Sequence, residues 1–423
     1  MTFSFQIWVA RELTDPSTAT IMQHVTTKSR PGYETLEEAL AIARELAPRL
    51  HDRIPQAEAL RRLPDENVRD LLDSGLIALE VPHKYGGAEL NLDALLEVTA
   101  VLSEACSSTG WVYALWGAHM WLIGQYPERV QDEIFGDPNA LISSVVSVEG
   151  TPEKVDGGYR WTGRGFFSSG VDHCTWLSAS LNLQPGEWPG DIRWFMIPRS
   201  DIEIVDDWHT VGLKGTGSKT IVVKDVFIPD ERVLAFKELS EGKGAGATLY
   251  GSPVYRASFD FTYTLPLGGP AVGIARAMLK AFEARTKSRM SDGTPRQLSG
   301  QPATLTRMAR ASADIDAAMS LLLETAHEVC YIPAAEANPL QRQMCRTYVA
   351  YAAQLCRAAS NSLFEASGGS AIYEDRDLQR LWRDSNVAGA HMGLNWDGAA
   401  QSYGRALVGL PPFEMPAPKP AAG

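Results

Sequence analysis

The chain has 423 residues, of which 45% are hydrophobic and 21% are charged, as in ordinary folded proteins. Its 39 lysines and arginines against 51 aspartates and glutamates give a net charge of −12, which argues against nucleic-acid binding because such binding needs a basic surface. The five cysteines form no CxxC pair, no zinc-ligand spacing occurs, and no stretch reaches transmembrane length. We therefore expect a soluble, cytoplasmic protein without a metal site or a membrane anchor.

The first part of the chain, residues 31–140, has a helical periodicity. Residues 1–30 lack the pattern of a signal peptide, and we expect a disordered extension there. The stretch TLEEALAIARELAPRLHDRI puts apolar residues on one stripe, and Pro64–Asp65 is typical of a helix start. Residues 91–127 continue with two apolar helical stretches. The pattern predicts an N-terminal helical domain.

The middle and last parts of the chain differ in their periodicity. Six short runs rich in β-branched and aromatic residues lie between 141 and 240, separated by Gly, Pro and Asp, and they predict a β-barrel or sandwich. Long helical periods return over 241–410 and predict a four-helix bundle, followed by a loose Pro/Ala-rich tail at 411–423. The expected fold class is α+β, in the order helical domain, β-domain and helical bundle.

One segment, GRGFFSSGVDHCTW at Gly163–Trp176, concentrates reactive side chains. Its serines follow a predicted strand rather than a GxSxG turn into a helix, so a hydrolase nucleophile is disfavoured. Neighbouring residues of a strand point to opposite faces, which disfavours a metal site at Asp172, His173 and Cys174. No GxGxxG or phosphate-binding loop occurs elsewhere. The segment is more typical of the wall of a cofactor pocket.

Four motifs occur in the order known from one large family. They are VPHKYGGAEL, VDGGYRWTGRGFFSSG, VGLKGTGSKTIVVKDVFIP and RLWRDSN. Together they resemble the acyl-CoA dehydrogenase superfamily over about residues 36–406. The resemblance implies that a flavin lies between the β-domain and the bundle, with its isoalloxazine against residues 165–170.

The resemblance also implies which residues hold the flavin. The family's W-I-T-N-G corresponds to FFSSG, which puts Ser168 at the threonine position and Ser169 at the asparagine position. Either Ser168 or Ser169 would lie near flavin N5, where a small hydroxyl can donate or accept. Arginine and glutamine residues that reach the flavin of a neighbouring subunit correspond to Arg289 and Gln301. The remaining flavin contacts that the resemblance implies are Phe167, Ser169, Gly368 and Gly369.

The glutamate base of many acyl-CoA dehydrogenases corresponds here to Met392, which cannot remove a proton. The stretches FSSGVDHCTW, TVGLKGTGS and STGWVYALWGAHMW instead resemble the oxygenase components of two-component flavin monooxygenases. That branch implies reduced flavin (FMNH2 or FADH2) from a separate NAD(P)H-dependent reductase, and O2 activation as a flavin C4a-hydroperoxide. It also implies hydroxylation of a phenolic or indole-like substrate, and a homotetramer.

Three residues are the predicted catalytic groups of this branch: His391, His119 and Ser168. A histidine titrates near pH 6.5, so His391 suits a base or anchor for a phenol. Five aromatic residues lie between Trp111 and Tyr126 around His119, as in an apolar aromatic pocket. The residues predicted to contact substrate are Trp116, Trp121, His173, Arg256 and Trp396.

The sequence leaves other functions open. An acyl-CoA dehydrogenase could carry its base on another helix, and a member of the same branch could oxygenate sulfur or nitrogen. A non-catalytic flavin-binding relative is a further alternative. The choice between FMN and FAD is also open.

Overall fold

The computed structural model describes residues 32–184, 190–291 and 302–411. The predicted extension at 1–30 and residues 412–423 of the predicted tail lie outside this part of the chain. Helices occupy both ends of the described chain, and strands occupy its middle. Among the described residues, no helix combines the length and the apolar character needed to cross a membrane.

Within the described residues, six α-helices precede the strands: α1 (Leu36–Asp52), α2 (Ile54–Leu60), α3 (Asp65–Asp73), α4 (Leu92–Ala105), α5 (Ser107–Ile123) and α6 (Glu128–Phe135). A capping box starts α1, because the Thr35 hydroxyl accepts from the Glu38 backbone N–H while the Glu38 carboxylate accepts from that of Thr35. Helix α5 is buried around nearly its whole circumference and packs against α4 and the first strand. It is the central helix of the molecule.

The strands are β1 (Ile142–Val145), β2 (Ser147–Glu149), β3 (Glu153–Val155), β4 (Gly158–Ser168), β5 (Trp176–Asn182), β6 (Ile192–Pro198), β7 (Ile202–Val205), β8 (Lys219–Pro229) and β9 (Val233–Ala235). One sheet has the order β1-β5-β6-β9, and the other has the order β2-β4-β8-β7 with β3 also on β4. Trp161, Phe195 and Ile221 belong to the core between them. The six predicted runs cover β1, most of β2, and β4 to β8, whereas the short β3 and β9 were not predicted.

The remaining helices are α7 (Phe236–Ser240), α8 (Gly246–Leu249), α9 (Phe259–Thr262), α10 (Gly268–Ser291), α11 (Pro302–Tyr331), α12 (Pro339–Ala366), α13 (Asp377–Ala388) and α14 (Trp396–Leu407). Helices α10, α11 and α12 pack against one another, and α10 also packs against α4. Gly273 permits this close approach, because a Cβ there would lie 2.4 Å from the Ala100 carbonyl oxygen. The predicted fold class is confirmed.

Glu80 is fully buried between the N-terminal helices and the C-terminal part of the chain. Neither carboxyl oxygen has a hydrogen-bond partner among the described residues, although the backbone carbonyl accepts from the Tyr255 hydroxyl. Burial raises the pKa of Glu80 well above its usual range, and the charge of Asp93 adds to this effect. The carboxyl group is therefore held in its neutral form.

Glu80→Gln is expected to stabilise the protein increasingly as pH rises. The pKa is higher in the folded state than in the unfolded state, so the wild type loses stability as pH rises above the unfolded value, about 4.3. The neutral amide has no such loss, and we expect its advantage to be about 1–3 kcal/mol at pH 8. Denaturant midpoints of the wild type and the variant at pH 5 and pH 8 measure this advantage. An equal difference between the two proteins at both pH values would contradict a raised pKa for Glu80.

Candidate active site

A cavity of about 640 Å³ lies where the β-domain meets the helices. Its walls come from α5, β1, β4, the β7–β8 loop, Tyr263 after α9, and the end of α13. Its apolar lining includes Trp111, Leu115, Phe166, Phe167, Trp208 and Val211. Its hydroxyl groups come from Ser144, Ser147, Ser169, Thr210, Thr216, Ser218 and Tyr263. The described lining residues include no lysine, arginine, aspartate or glutamate, so the cavity is apolar and uncharged.

An irregularity in β4 forms one wall of this cavity. The pairing of β4 with β8 shifts register between Gly165 and Ser168, and Phe167 has a φ of +65°. Bulky residues rarely adopt this left-handed conformation, and such strain is concentrated at functional sites. The Phe167 ring is 67% exposed and meets Trp208 edge to face, with 6.4 Å between ring centroids. The irregularity thus presents an aromatic ring to the cavity.

The two serines after Phe167 have different surroundings. Ser168, predicted to face the flavin, is fully buried and shares a 2.7 Å hydrogen bond with the Ser143 hydroxyl. Ser169 lines the cavity, and its hydroxyl accepts from Trp111 Nε1 at 3.3 Å. The register shift therefore moves the cavity position one residue along, from Ser168 to Ser169.

His391 lines the opposite part of the cavity, just after α13. Its Nδ1 accepts a hydrogen bond from the Gly393 backbone N–H at 3.1 Å, so Nδ1 carries no proton. Burial lowers the pKa of His391 to about 4, which keeps the ring neutral at physiological pH. The ring proton is therefore on Nε2, and the available polar group is an N–H donor. Trp111 packs edge-on against this ring at 5.5 Å.

The β7–β8 loop is held in place by the end of the bundle. The buried Asp384 carboxylate accepts from the Leu213 N–H at 2.7 Å, and the Arg383 side chain donates to the Val211 carbonyl. Gly212 lies so close to Arg383 that a Cβ would be 2.7 Å from its backbone. The motifs TVGLKGTGS and RLWRDSN, far apart in sequence, thus meet at the cavity wall.

The predicted residues of α5 lie in the core rather than at the cavity. His119 is buried, its Nδ1 is 2.6 Å from the Ile142 carbonyl oxygen, and burial lowers its pKa to about 4. Trp116 is also buried, and Trp121 donates from Nε1 to the Val254 carbonyl at 2.8 Å. None of the three lines the cavity. The reason is that α5 packs on all sides, so most of its aromatic residues fill the core.

The other predicted substrate residues also lie elsewhere. His173 points to the N-terminal helices, where its Nε2 is 2.9 Å from the Leu63 carbonyl oxygen. Arg256 is exposed, and Trp396 packs against Tyr351 at 5.4 Å beside a separate cavity between α12 and α14. A strand-to-turn change after Ser169 takes His173 away from the cavity, since residues 171–173 form a 3₁₀ turn.

The predicted flavin contacts outside β4 are only partly described. Gly368 and Gly369 follow α12 and do not line the cavity. Gly368 has a φ of +73°, and a Cβ on Gly369 would meet nothing within 4 Å, so the backbone is open to approach there. Gln301 and the side chain of Arg289 lie outside the described residues. Their role toward a neighbouring subunit's flavin stays a prediction.

Several cavity residues were not singled out from the sequence. Trp208, Thr216 and Ser218 belong to the β7–β8 loop, and the motif TVGLKGTGS was the only signal for that loop. Burial raises the pKa of Tyr263 to about 12, so its hydroxyl stays protonated. Nothing in the local pattern of Tyr263 or Ser144 indicated a site, because distant elements bring them to the cavity.

A helical domain, a β-domain and a second helical part, with a largely apolar cavity where they meet, make up this fold. Family models agree with this architecture. Residues 34–134 match the acyl-CoA dehydrogenase N-terminal domain, and residues 265–396 match the acyl-CoA dehydrogenase C-terminal domain. The chain belongs to the acyl-CoA dehydrogenase superfamily, in its branch of flavin-dependent monooxygenases.

Individual relatives support this membership. The flavin-dependent monooxygenase oxygenase subunit HsaA of Mycobacterium tuberculosis is 35% identical, over 89% of this chain and 96% of that protein. The oxygenase component of p-hydroxyphenylacetate 3-hydroxylase of Acinetobacter baumannii is 32% identical, over 93% of each chain. A crystal structure of HsaA from M. tuberculosis aligns with a TM-score of 0.84 at 34% identity, over 90% of this chain and 100% of that one.

Substitution of Ser168 and Ser169 one at a time distinguishes a hydroxyl that contacts the ligand from one that only supports the fold. Ser169→Ala removes a hydroxyl that lines the cavity and is expected to weaken flavin binding about three- to tenfold, the value of one net hydrogen bond. Ser168→Ala removes only the bond to Ser143, so it should lower stability by about 1 kcal/mol and leave flavin affinity unchanged. Equilibrium titration with FMN and FAD, together with thermal unfolding, measures both effects. The reverse pattern would contradict the geometry.

Proposed function

We propose that this chain is the oxygenase component of a two-component monooxygenase that uses reduced flavin and O2 to hydroxylate an uncharged phenolic or indole-like substrate. The observation that carries the proposal is the pair of polar groups on either side of Trp111. Its indole N–H donates to the Ser169 hydroxyl, and its ring packs against His391 in an otherwise apolar cavity. The names of the relatives, which include an FADH2-dependent resorcinol hydroxylase and an indole-3-acetate monooxygenase, support an aromatic substrate.

The cavity suits a flavin ring. Its volume of about 640 Å³ is in the range of small-molecule sites, and its wall carries exposed apolar side chains. Phe167 is 67% exposed and Met392 is 61% exposed, which is unusual for large apolar residues unless a ligand covers them. Phe166, Phe167 and Trp208 would pack on the ring, and Ser169 would hydrogen-bond its edge. A bound reduced flavin supplies the electrons that activate O2. A related structure, XiaF from Streptomyces, contains FADH2.

His391 is proposed to donate a hydrogen bond from Nε2 to the phenolic oxygen of the substrate. Because Nδ1 is occupied by the Gly393 N–H, the neutral ring has no free acceptor in this arrangement. A donor at this point stabilises the phenolate, in which the aromatic ring is most nucleophilic, after the substrate has released its phenolic proton to solvent on binding. The geometry therefore favours the anchoring role of His391 over the role of a base. The apolar walls exclude water, which strengthens this hydrogen bond.

The cavity gives little support to acyl-CoA dehydrogenation. That reaction needs a carboxylate base, and the described lining residues include none. Met392 occupies the position that corresponds to the family's glutamate and lies at the rim of the cavity. Oxygenation of sulfur or nitrogen would use the same cavity, but it would need no donor to a phenolic oxygen.

The wider arrangement of the enzyme is part of the same proposal. Several relatives are named as oxygenase subunits or components, which supports a separate NAD(P)H-dependent flavin reductase as the source of reduced flavin. We further propose a cytoplasmic homotetramer, in which Arg289 and Gln301 reach the flavin of a neighbouring subunit. FMN and FAD are both candidates, and titration with each decides between them.

Replacement of His391 tests the donor role. His391→Ala is expected to lower kcat/KM for a phenol about 10- to 100-fold, the value of a hydrogen bond to a charged oxygen. His391→Gln keeps an N–H at a similar reach and should recover a large part of the loss. Because the pKa of His391 is about 4, the kcat/KM profile of the wild type should show no ionisation of this histidine between pH 5.5 and 8. Unchanged turnover in His391→Ala would instead favour sulfur or nitrogen oxygenation.

The uncharged lining predicts a preference between matched substrates. Burying a carboxylate without a cationic partner is costly, and the described lining residues provide no lysine or arginine. A neutral phenol such as p-cresol is therefore expected to have a kcat/KM at least about tenfold above that of 4-hydroxyphenylacetate. Product formation with both substrates, at saturating reduced flavin, measures this ratio. A preference for the carboxylate would contradict the proposed substrate class.

A further inference from the structure

Three hydroxyl groups form a continuous chain at the wall of the cavity. Ser169 Oγ is 2.7 Å from Ser218 Oγ, which is 2.7 Å from Thr216 Oγ1. All three side chains are buried, and the chain begins at the Trp111 indole N–H and ends at the Leu213 carbonyl oxygen, 2.9 Å from Thr216 Oγ1. Only the Ser169 end corresponds to a predicted flavin contact.

The chain can be ordered in one direction so that every hydrogen is used internally. Each hydroxyl has one hydrogen to donate and two lone pairs to accept. In this order Thr216 donates to the Leu213 carbonyl, Ser218 donates to Thr216, and Ser169 donates to Ser218. Ser169 accepts from Trp111 and has one lone pair left, so it presents an acceptor to the cavity.

The opposite order is also available. Thr216 then donates to Ser218, and Ser218 donates to Ser169, which now accepts from both Ser218 and Trp111. The Ser169 hydrogen is left to point into the cavity. The Leu213 carbonyl keeps a partner, because Trp208 Nε1 donates to it at 3.2 Å. In this order Ser169 presents a donor.

We propose that this chain, the Ser169–Ser218–Thr216 relay, reverses its direction with the oxidation state of the bound flavin. The inference rests on the proposed function. Oxidised isoalloxazine has a bare N5 that accepts a hydrogen bond, whereas reduced isoalloxazine carries N5–H and donates one. The relay lets one side chain serve both states by rotating three hydroxyls, without moving a heavy atom or releasing a proton. Thr216 and Ser218 are positioning residues, since they act through Ser169.

Thr216→Val should remove one of the two orders of the relay, the one in which Ser169 presents an acceptor to the cavity. Without the Thr216 oxygen, the Ser218 hydrogen has no remaining acceptor among the described residues except Ser169. Ser169 must then point its own hydrogen into the cavity, which suits oxidised flavin and opposes the N–H of reduced flavin. The variant should therefore bind reduced flavin about three- to tenfold more weakly and bind oxidised flavin as the wild type does. Thr216→Ser keeps the hydroxyl and is the matched control.

The experiment measures Kd for oxidised FMN and FAD by fluorescence, and for the reduced forms by anaerobic titration. The expected result is a three- to tenfold rise in the ratio of reduced to oxidised Kd in Thr216→Val, and a wild-type ratio in Thr216→Ser. Ser218→Ala should raise the ratio in the same direction. Ser178→Ala removes a buried hydroxyl of β5 that has no partner among the described residues, so it should leave the ratio unchanged.

The outcomes separate the relay from the proposed function. Wild-type protein that binds neither form of flavin would overturn the proposed function, and the relay with it. Wild-type protein that binds both forms, with a Thr216→Val ratio equal to that of wild type, would overturn the relay alone. An equal loss for both forms, or the same effect in Thr216→Ser, would also overturn it. Normal binding of oxidised flavin by Thr216→Val shows in the same titration that the variant is folded.

Discussion

The hydrogen bond from the Leu213 N–H to the buried Asp384 carboxylate is the contact on which the cavity depends. Burial raises the pKa of Asp384, while this hydrogen bond favours the charged form and opposes the shift. A buried carboxylate is costly unless it is hydrogen-bonded. The β7–β8 loop is therefore held where the Leu213 N–H can donate to Asp384. The same contact fixes the Leu213 carbonyl and, beyond it, Thr216 and Ser218. A bundle residue thus sets the position of hydroxyls in the β-domain.

Much of the fold could be predicted from periodicity, because the long elements bury one continuous face. The apolar stripe of α1, and the β-branched and aromatic residues of β5, β6 and β8, are signals that a local window of sequence contains. Strands β3 and β9 have only three residues each and pair with an edge that other strands provide. Three residues are too few to show a periodic pattern of apolar residues. Whether these segments form strands therefore depends on the strands they pair with.

The site was predictable as a segment but less so as individual side chains. The FFSSG segment lines one wall of the cavity, but the register shift after Gly165 changes which of its residues faces the cavity, and alternation cannot reveal a bulge. His391 was predicted from the resemblance to the oxygenase branch, and it lines the cavity. His119 was placed at the cavity because aromatic density resembles a pocket, but α5 is surrounded by packing partners, and density alone does not distinguish the two.

The distribution of charge explains why a few polar atoms have a large effect on ligand binding in this cavity. Ionic groups near the cavity are paired with one another outside it, as in the contacts of Asp206 with Arg61 and Lys219. The described lining residues, including His391, are neutral at physiological pH. In a cavity of low polarity each hydrogen bond is stronger than in water, and each unpaired donor or acceptor is more costly. The direction of the Ser169 hydroxyl and the tautomer of His391 therefore have large effects. The Gly393 N–H sets the tautomer of His391, and the Leu213 carbonyl offers an acceptor at the far end of the Ser169–Ser218–Thr216 relay. Backbone groups at the cavity wall therefore support its chemistry.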